Sequence, residues 1–345
     1  MINENKYLVG VRCDTYNQAA YIQDTLNGFV MQQTDFPFIA VVVDDASTDG
    51  EQEVIKAFLE EQFNCSQESG FMQWETEDAY WTFAEHGVNV NCHFLVVYLK
   101  KNLYLNPKKV ELIGPYFQSK YVAYCEGDDY WIDPQKLQKQ VCFLESHEEY
   151  SMCCTAFSQT FDGNEAKKSN IVFELDDITM DDVLRGQWIG TLTVVYRNEL
   201  LADLHHPFDD LIGDDLPWWC HLAMKGKIKC LKDVTANYRR LKESACHFTD
   251  KKKQYLFGLD AMRVREYYAK LANKLDIAQP VFSKNSHYYL EECYKNQWLD
   301  FPMDTLWHFV KEYGNPSGYD KLKYWGMKSK LRYRLSKIVL SIFKH

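Results

Sequence analysis

The eleven residues Tyr121-Val122-Ala123-Tyr124-Cys125-Glu126-Gly127-Asp128-Asp129-Tyr130-Trp131 run apolar and then end on three carboxylates around a glycine. A strand buried in an open α/β sheet would deliver such acids together at its carboxyl edge, where folds of this class place their ligands. A second run, Phe38-Ile39-Ala40-Val41-Val42-Val43, is apolar throughout and closes on Asp44-Asp45, the pattern of a strand covered on both faces. A first strand is expected around Tyr7-Leu8-Val9-Gly10-Val11, and it ends in Arg12-Cys13-Asp14-Thr15-Tyr16-Asn17. Helical spacing over residues 17–33 and 51–62 completes a β-α-β-α order, which predicts a parallel sheet with all three polar strand ends on one edge.

Carboxylates collected at such an edge suit a phosphate ligand only with a divalent cation between them. Oxygen donors favour Mg²⁺ or Mn²⁺, held by one or two carboxylates plus the substrate's phosphates.

Farther along, the chain is less regular over 65–120, with a helical pattern over 91–104. A strand is expected at 121–125, then a helix from Pro134 to Ser146 with Asp133 as its N-cap. Short strands are expected at 151–157, 171–173, 191–196, 227–231 and 236–239, with helices near 179–185 and 216–225. From residue 250 the pattern is helical and rich in aromatic residues.

Charge divides the chain. Residues 321–345 hold eight Lys and Arg and no acid, so with a net charge of −10 overall the preceding 320 residues carry −10 − 8 = −18. A body this acidic excludes general nucleic-acid binding, and the tail is a separate electrostatic object. Eleven scattered cysteines with no C-x-x-C pair suit reduced, buried thiols and no zinc site. The start of the chain has no apolar signal region, and no apolar span approaches the ~20 residues of a membrane helix. The expected location is therefore cytoplasmic.

Asp14-Thr15-Tyr16-Asn17, Asp44-Asp45-Ala46-Ser47-Thr48-Asp49-Gly50 and Glu126-Gly127-Asp128-Asp129 resemble, in order and spacing, the motifs of the family 2 glycosyltransferases of bacterial polysaccharide synthesis, over about residues 6–247. The resemblance implies a GT-A fold, a Rossmann-like sheet flanked by helices, and transfer with inversion from a nucleotide-sugar donor, with a UDP-sugar favoured. It implies donor contacts at Thr15, Tyr16, Asp45 and Asp128, and a divalent metal on Asp129. His247 matches a position where some members place a metal-shell histidine. Asp14 departs from the small or hydroxyl residue usual there. By this reading residues 1–249 form the transferase domain, with a nucleotide-sugar half at about 1–133 and an acceptor half at about 134–249. Residues 250–345 form a helical extension.

An inverting transfer needs a base that takes the proton of the attacking hydroxyl. Gly213-Asp214-Asp215-Leu216-Pro217-Trp218-Trp219 resembles the family segment that supplies it, and Asp215 matches the base. As a plain helix start, the same residue is an N-cap with Pro217 in the first turn. Trp188, Trp218 and Trp219 are candidates for an acceptor wall, and Arg239 and Arg240 for contacts to the pyrophosphate. Asn17 reads best as the N-cap of the helix after the first strand. The acceptor implied is a glycan or a lipid-linked sugar. A phosphotransferase using Asp44 or Asp45 lacks the second acid two residues on, where Ala46 and Ser47 stand. The remaining alternative is a non-catalytic nucleotide-sugar-binding or scaffold protein on the same fold.

In the tail, Leu331, Leu335, Ile338, Val339 and Ile342 recur at helical spacing among Lys328, Arg332, Arg334 and Lys337. Such a helix can lie on an anionic membrane, here the inner face of the plasma membrane, or dock on the acidic body.

Overall fold

The computed structural model describes residues 6–63, 70–104, 106–161, 164–208, 210–213, 215–241 and 250–342. In chain order the elements are β1 (Val9–Thr15), α1 (Ile22–Val30), β2 (Phe38–Asp44), α2 (Glu51–Gln62), β3 (Phe71–Glu75), β4 (Ala79–Glu85), β5 (Cys92–Leu99), α3 (Pro107–Ile113), β6 (Tyr121–Tyr124), β7 (Tyr130–Trp131), α4 (Lys136–Ser146), β8 (Tyr150–Phe161), β9 (Asn164–Ile171), β10 (Asp177–Ile178), α5 (Met180–Arg185), β11 (Val195–Arg197), α6 (Asp215–Lys225), β12 (Lys227–Arg240), α7 (Lys251–Leu271), α8 (Leu275–Asn296), α9 (Met303–Tyr313), α10 (Gly318–Met327) and α11 (Lys330–Ile342).

The chain forms two compact units, neither continuous in sequence. The first comprises Met1–Thr179, Ile189–Leu204 and Lys225–Leu241; the second comprises Met180–Trp188, His205–Met224 and Lys242–His345. Helix α7 begins at Lys251, and α5 and most of α6 group with the later helices.

The first unit is built on one mixed sheet in the order β10-β12-β8-β11-β6-β1-β2-β5-β4-β3. Its centre, β6-β1-β2-β5, is parallel, with Val9 opposite both Phe38 and Tyr121. The six-residue apolar run of β2 follows from double coverage. Phe38, Ala40 and Val42 face a layer containing Ile22, Leu26 and Phe29 of α1, Ile55 and Phe58 of α2, and Leu137 and Val141 of α4. Ile39, Val41 and Val43 face the opposite layer with Trp81, Leu95, Val97 and Ile113.

Several local expectations are corrected. The segment expected to be helical over 91–104 contains β5, whose eight residues are all buried between β2 and β4. Its Phe94-Leu95-Val96-Val97 core is apolar on consecutive positions, a pattern that periodicity alone cannot assign to helix or strand. Asn17 does not cap α1, which begins at Ile22; its Oδ1 accepts from Thr48 N at 2.8 Å instead. Helix α4 starts at Lys136, and Asp133 Oδ1 accepts from Gln135 N before it. The two strands expected at 227–239 are one, β12, whose pairing with β8 is interrupted by register shifts around Val234. The nine described cysteines are free, and all but Cys142 are buried.

The second unit is helical. Its long helices α7 and α8 contribute Leu259, Met262, Phe282 and Leu290 to a buried interior, joined by Leu306, Phe309 and Val310 of α9. Among the described residues no helix is long and apolar enough to cross a membrane.

One buried lysine in the first unit carries a measurable cost. Lys136 is fully buried; its Nζ donates to Gln140 Oε1 at 2.7 Å and lies 4.5 Å from the centre of the Trp131 ring. Burial pulls its pKa down from 10.5 to about 7. Above that value the fold holds the neutral amine while the unfolded chain still binds the proton, so stability rises with pH across this window. Denaturant unfolding should show wild-type stability gaining about 2 kcal/mol from about pH 7 to about pH 9 relative to Lys136→Met. Parallel pH profiles for the two proteins would exclude a neutral buried lysine.

Candidate functional site

The parallel register of β1, β2 and β6 places Asp14, Asp44 and the turn after Tyr124 on one edge of the first unit. Backbone bonds extend that alignment past the strands: Asp45 N donates to Thr15 O at 2.9 Å, and Gly127 N to Asp14 O at 3.1 Å. The approach of the last pair requires glycine. A Cβ on Gly127 would lie 2.1 Å from Thr15 Oγ1 and 2.5 Å from Gln18 Oε1.

Each carboxylate at this edge is held differently. Asp14 Oδ2 accepts from Arg12 Nε at 2.9 Å and from the Tyr124 hydroxyl at 2.6 Å. Burial opposes its charge, but Arg12, Lys109 and these donors outweigh burial and hold its pKa below the usual range. Asp45 accepts from the backbone N–H groups of Leu103 at 2.6 Å and Tyr104 at 2.8 Å. Lys109 Nζ stands between the two acids, 3.6 Å from Asp14 and 3.5 Å from Asp45. The side chain expected to meet a nucleobase therefore already anchors the loop ahead of α3. Asp44 accepts from Gln52 Nε2, and burial raises its pKa.

Glu51, the first residue of α2, is fully buried and ties the first two strand ends together. It accepts from the Thr15 hydroxyl, from Gln18 N at 2.9 Å and from Ser47 Oγ at 2.7 Å. Thr15 is thus buried and engaged, whereas Tyr16 beside it is 47% exposed and presents its ring to solvent. Sequence reading missed Glu51 because an acid in the first turn of a helix is ordinarily a dipole contact. Lys109 was equally illegible, lying in a stretch read without regular structure.

The third strand end differs. Asp129 is 2% exposed, and its Oδ1 accepts from Arg239 N at 2.7 Å. Burial and the neighbouring charges of Asp128 and Glu126 push its pKa well up; burial also raises that of Asp128. Among the described residues no cation lies within ion-pair distance of either carboxylate. The Arg239 guanidinium instead donates to Asp128 O at 2.9 Å, pairs with Asp24, and lies 4.2 Å over the Tyr130 ring. It is 7% exposed and committed, which corrects its expected role at a pyrophosphate. Arg240 lies 5.2 Å from the Phe161 ring.

Among the described residues no three metal-ligating side chains converge. The donor set at Asp128 and Asp129 is two carboxylates with no ion-pair partner among the described residues, which fits a hard divalent ion that takes its remaining ligands from phosphates and water. His247 and Asp214 lie outside the described residues.

In the second unit Asp215 opens α6 and is half-buried. Its Oδ2 accepts from Trp219 Nε1 at 3.2 Å, one helical turn on. Trp219, offered above as an acceptor wall, is 3% exposed and orients this carboxylate from the interior. The preceding loop rests on α7: Ile212 N donates to Asp260 Oδ2 at 3.2 Å, and a Cβ on Gly213 would lie 2.9 Å from the Phe257 ring. Trp188 is 49% exposed, and Trp218 is half-buried.

The sequence profile of the Glycosyl transferase family 2 matches residues 14–67, the segment holding the first two strand ends and Glu51. An uncharacterized protein of Mycobacterium tuberculosis is 28% identical over 246 residues, covering 69% of this chain and 61% of its own. The chain thus spans about three fifths of that relative. TuaG of Bacillus subtilis, named for teichuronic acid biosynthesis, is 28% identical over 69% of this chain and 81% of its own. Residues 1–349 of S. aureus TarS, solved with UDP-GlcNAc, share the fold over 96% of this chain and 87% of theirs, with a TM-score of 0.58 at 18% identity. A mannosyltransferase from Pyrobaculum calidifontis, solved with GDP-Man and Mn²⁺, matches 84% of this chain and 75% of its own, with a TM-score of 0.51 at 14% identity. Residues 14–67 thus resemble glycosyl transferase family 2, and the chain shares its fold with solved glycosyltransferases.

Proposed function

We propose that the protein is an inverting glycosyltransferase that moves a sugar from a nucleotide-sugar, a UDP-sugar first among candidates, to a hydroxyl of a glycan or lipid-linked acceptor. The observation that carries this reading is the contrast along one sheet edge. Asp14 and Asp45 share Lys109, while the carboxylates of Asp128 and Asp129 have no ion-pair partner among the described residues and feel the Arg239 charge only from farther off. Buried carboxylates of this kind call for an external positive charge.

Asp129, with His247 as a further ligand, would hold Mg²⁺ or Mn²⁺, whose chemistry there is to neutralise the departing diphosphate. Asp128 would contact the ribose or sugar. The exposed Tyr16 ring would stack on the base, with the Asp45-anchored loop at Leu103–Tyr104 beside it; Thr15 would act through the backbone, since its hydroxyl is taken. Asp215 accepts the proton of the acceptor hydroxyl as its oxygen bonds to the anomeric carbon; the bond from that carbon to the diphosphate oxygen breaks, and the electron pair leaves with the diphosphate. The hydrogen bond from Trp219 orients the Asp215 carboxylate for that role.

A thermal-shift screen against UDP-, GDP-, dTDP- and CMP-sugars, with and without Mn²⁺, tests the donor site. A bound donor at ~100 times its dissociation constant should add about 2.7 kcal/mol of stability. That shift should require metal and disappear in Asp129→Ala; no shift with any donor would favour the non-catalytic scaffold. Asp215→Asn should keep the donor shift while turnover falls about 10²- to 10⁴-fold. Near-normal turnover in that variant would remove Asp215 from the role of base.

Glu51→Ala leaves three donors at the strand ends without their acceptor and should cost about 2 kcal/mol or more by denaturant unfolding. It should also weaken donor binding, because Ser47 and Gln18 lose their anchor. An unchanged unfolding midpoint would show that the buried carboxylate does not tie β1 to the turn after β2.

A further inference from the structure

Helix α11 carries apolar residues on two opposite faces. Tyr333, Ser336 and Leu340 are buried against the other helices of the second unit. The Tyr294 hydroxyl and Ser336 Oγ are 2.9 Å apart, and the Tyr294 and Tyr333 rings lie 4.9 Å apart. This docking needs a glycine on α10, since a Cβ on Gly326 would lie 2.3 Å from Ser336 Oγ. At about 3.6 residues per turn, Leu331, Leu335, Ile338 and Ile342 share one narrow arc on the opposite side of the helix. They are 68%, 46%, 59% and 65% exposed. Docking is thus satisfied without them, and the apolar stripe is turned to solvent.

Both flanks of the stripe are cationic. On the same helical wheel Lys330, Arg334 and Lys337 fall to one side and Arg332 to the other. All four are exposed. Among the described residues none of them has an acid within 4 Å, although Lys323 and Lys328 nearby pair with Glu291 and Asp304. Arg332 lies over the Trp325 ring, itself 39% exposed. A solvent-facing apolar arc between rows of unpaired cations, in a segment of eight basic residues and no acids, complements a surface that is apolar beneath and negative above.

We propose that the Leu331–Leu335–Ile338–Ile342 face of α11 is a membrane-docking surface that lies in the interface of an anionic bilayer. The stripe enters the acyl boundary, and Lys330, Arg332, Arg334 and Lys337 meet the lipid phosphates. The helix would lie along the membrane, since it is already fixed to the second unit by its other face. This surface concerns where the protein works rather than what it transfers, so its failure leaves the sugar-transfer reading intact.

The test is co-sedimentation of the full chain with vesicles of phosphatidylcholine alone or mixed with phosphatidylglycerol. Binding is expected to the mixed vesicles only, and to fall as salt is raised. Arg334→Gln should weaken it about fivefold, the loss of one surface cation. Leu331→Gln combined with Ile338→Gln should weaken it more than tenfold; because both residues are exposed, circular dichroism and the donor thermal shift should match wild type. Absence of binding to anionic vesicles, or equal binding by the stripe variant, would overturn the proposal. So would a wild-type dimer in lipid-free solution that the stripe variant converts to monomer, since the occupant of the face would then be a second copy of the chain.

Discussion

Seven carboxylates, those of Asp14, Asp44, Asp45, Glu51, Glu126, Asp128 and Asp129, gather where three parallel strands end, and the first unit is arranged around keeping them there. Charges brought out of water must be paired or hydrogen-bonded, or the fold loses several kcal/mol for each. The solutions run in order across the edge. At the first two strands the protein supplies its own compensation: Lys109 between Asp14 and Asp45, backbone amides of Leu103 and Tyr104 on Asp45, and hydroxyl and amide donors on Glu51. At the third, Asp129 receives one backbone N–H, and among the described residues neither it nor Asp128 has an ion-pair partner, the Arg239 charge acting on both only from farther off. The imbalance is local, and it is where a reacting ligand has a use for charge.

The same logic explains several side chains that look functional in sequence and are structural in the fold. Arg239 was a natural candidate for a phosphate contact, yet its guanidinium is spent on Asp24, on Asp128 O and on the Tyr130 ring, so that its backbone N–H is held at Asp129. Trp219 is buried behind Asp215 rather than lining an acceptor surface. In both cases a conspicuous residue positions a carboxylate.

Legibility followed the range of the interactions. The runs of β2 and β6 announced buried strands because their apolar pattern is local and continuous, and the acids that follow them were visible as a set. β5 was read as helix because a short apolar run fits either period, and only its pairing between β2 and β4 distinguishes the two. Asn17 was assigned to helix capping from a local preference; in the fold it binds Thr48, thirty-one residues away, in a left-handed conformation with φ of 54°. Lys109 and Glu51 had no local signature, since each acts across strands distant in sequence.

The sequence by itself determined a parallel α/β core with three polar strand ends on one edge, a separate acidic pair at Asp214-Asp215, and a basic amphipathic segment after residue 320. These are consequences of period and composition, which nearest neighbours along the chain decide. Only the tertiary structure decided which acids are compensated, that Thr15 is enclosed while Tyr16 is open, that α5 and most of α6 belong with the later helices, and which face of α11 is buried. Each depends on distances between residues remote in sequence, because a buried charge or an apolar arc acquires its partner only when the chain is packed.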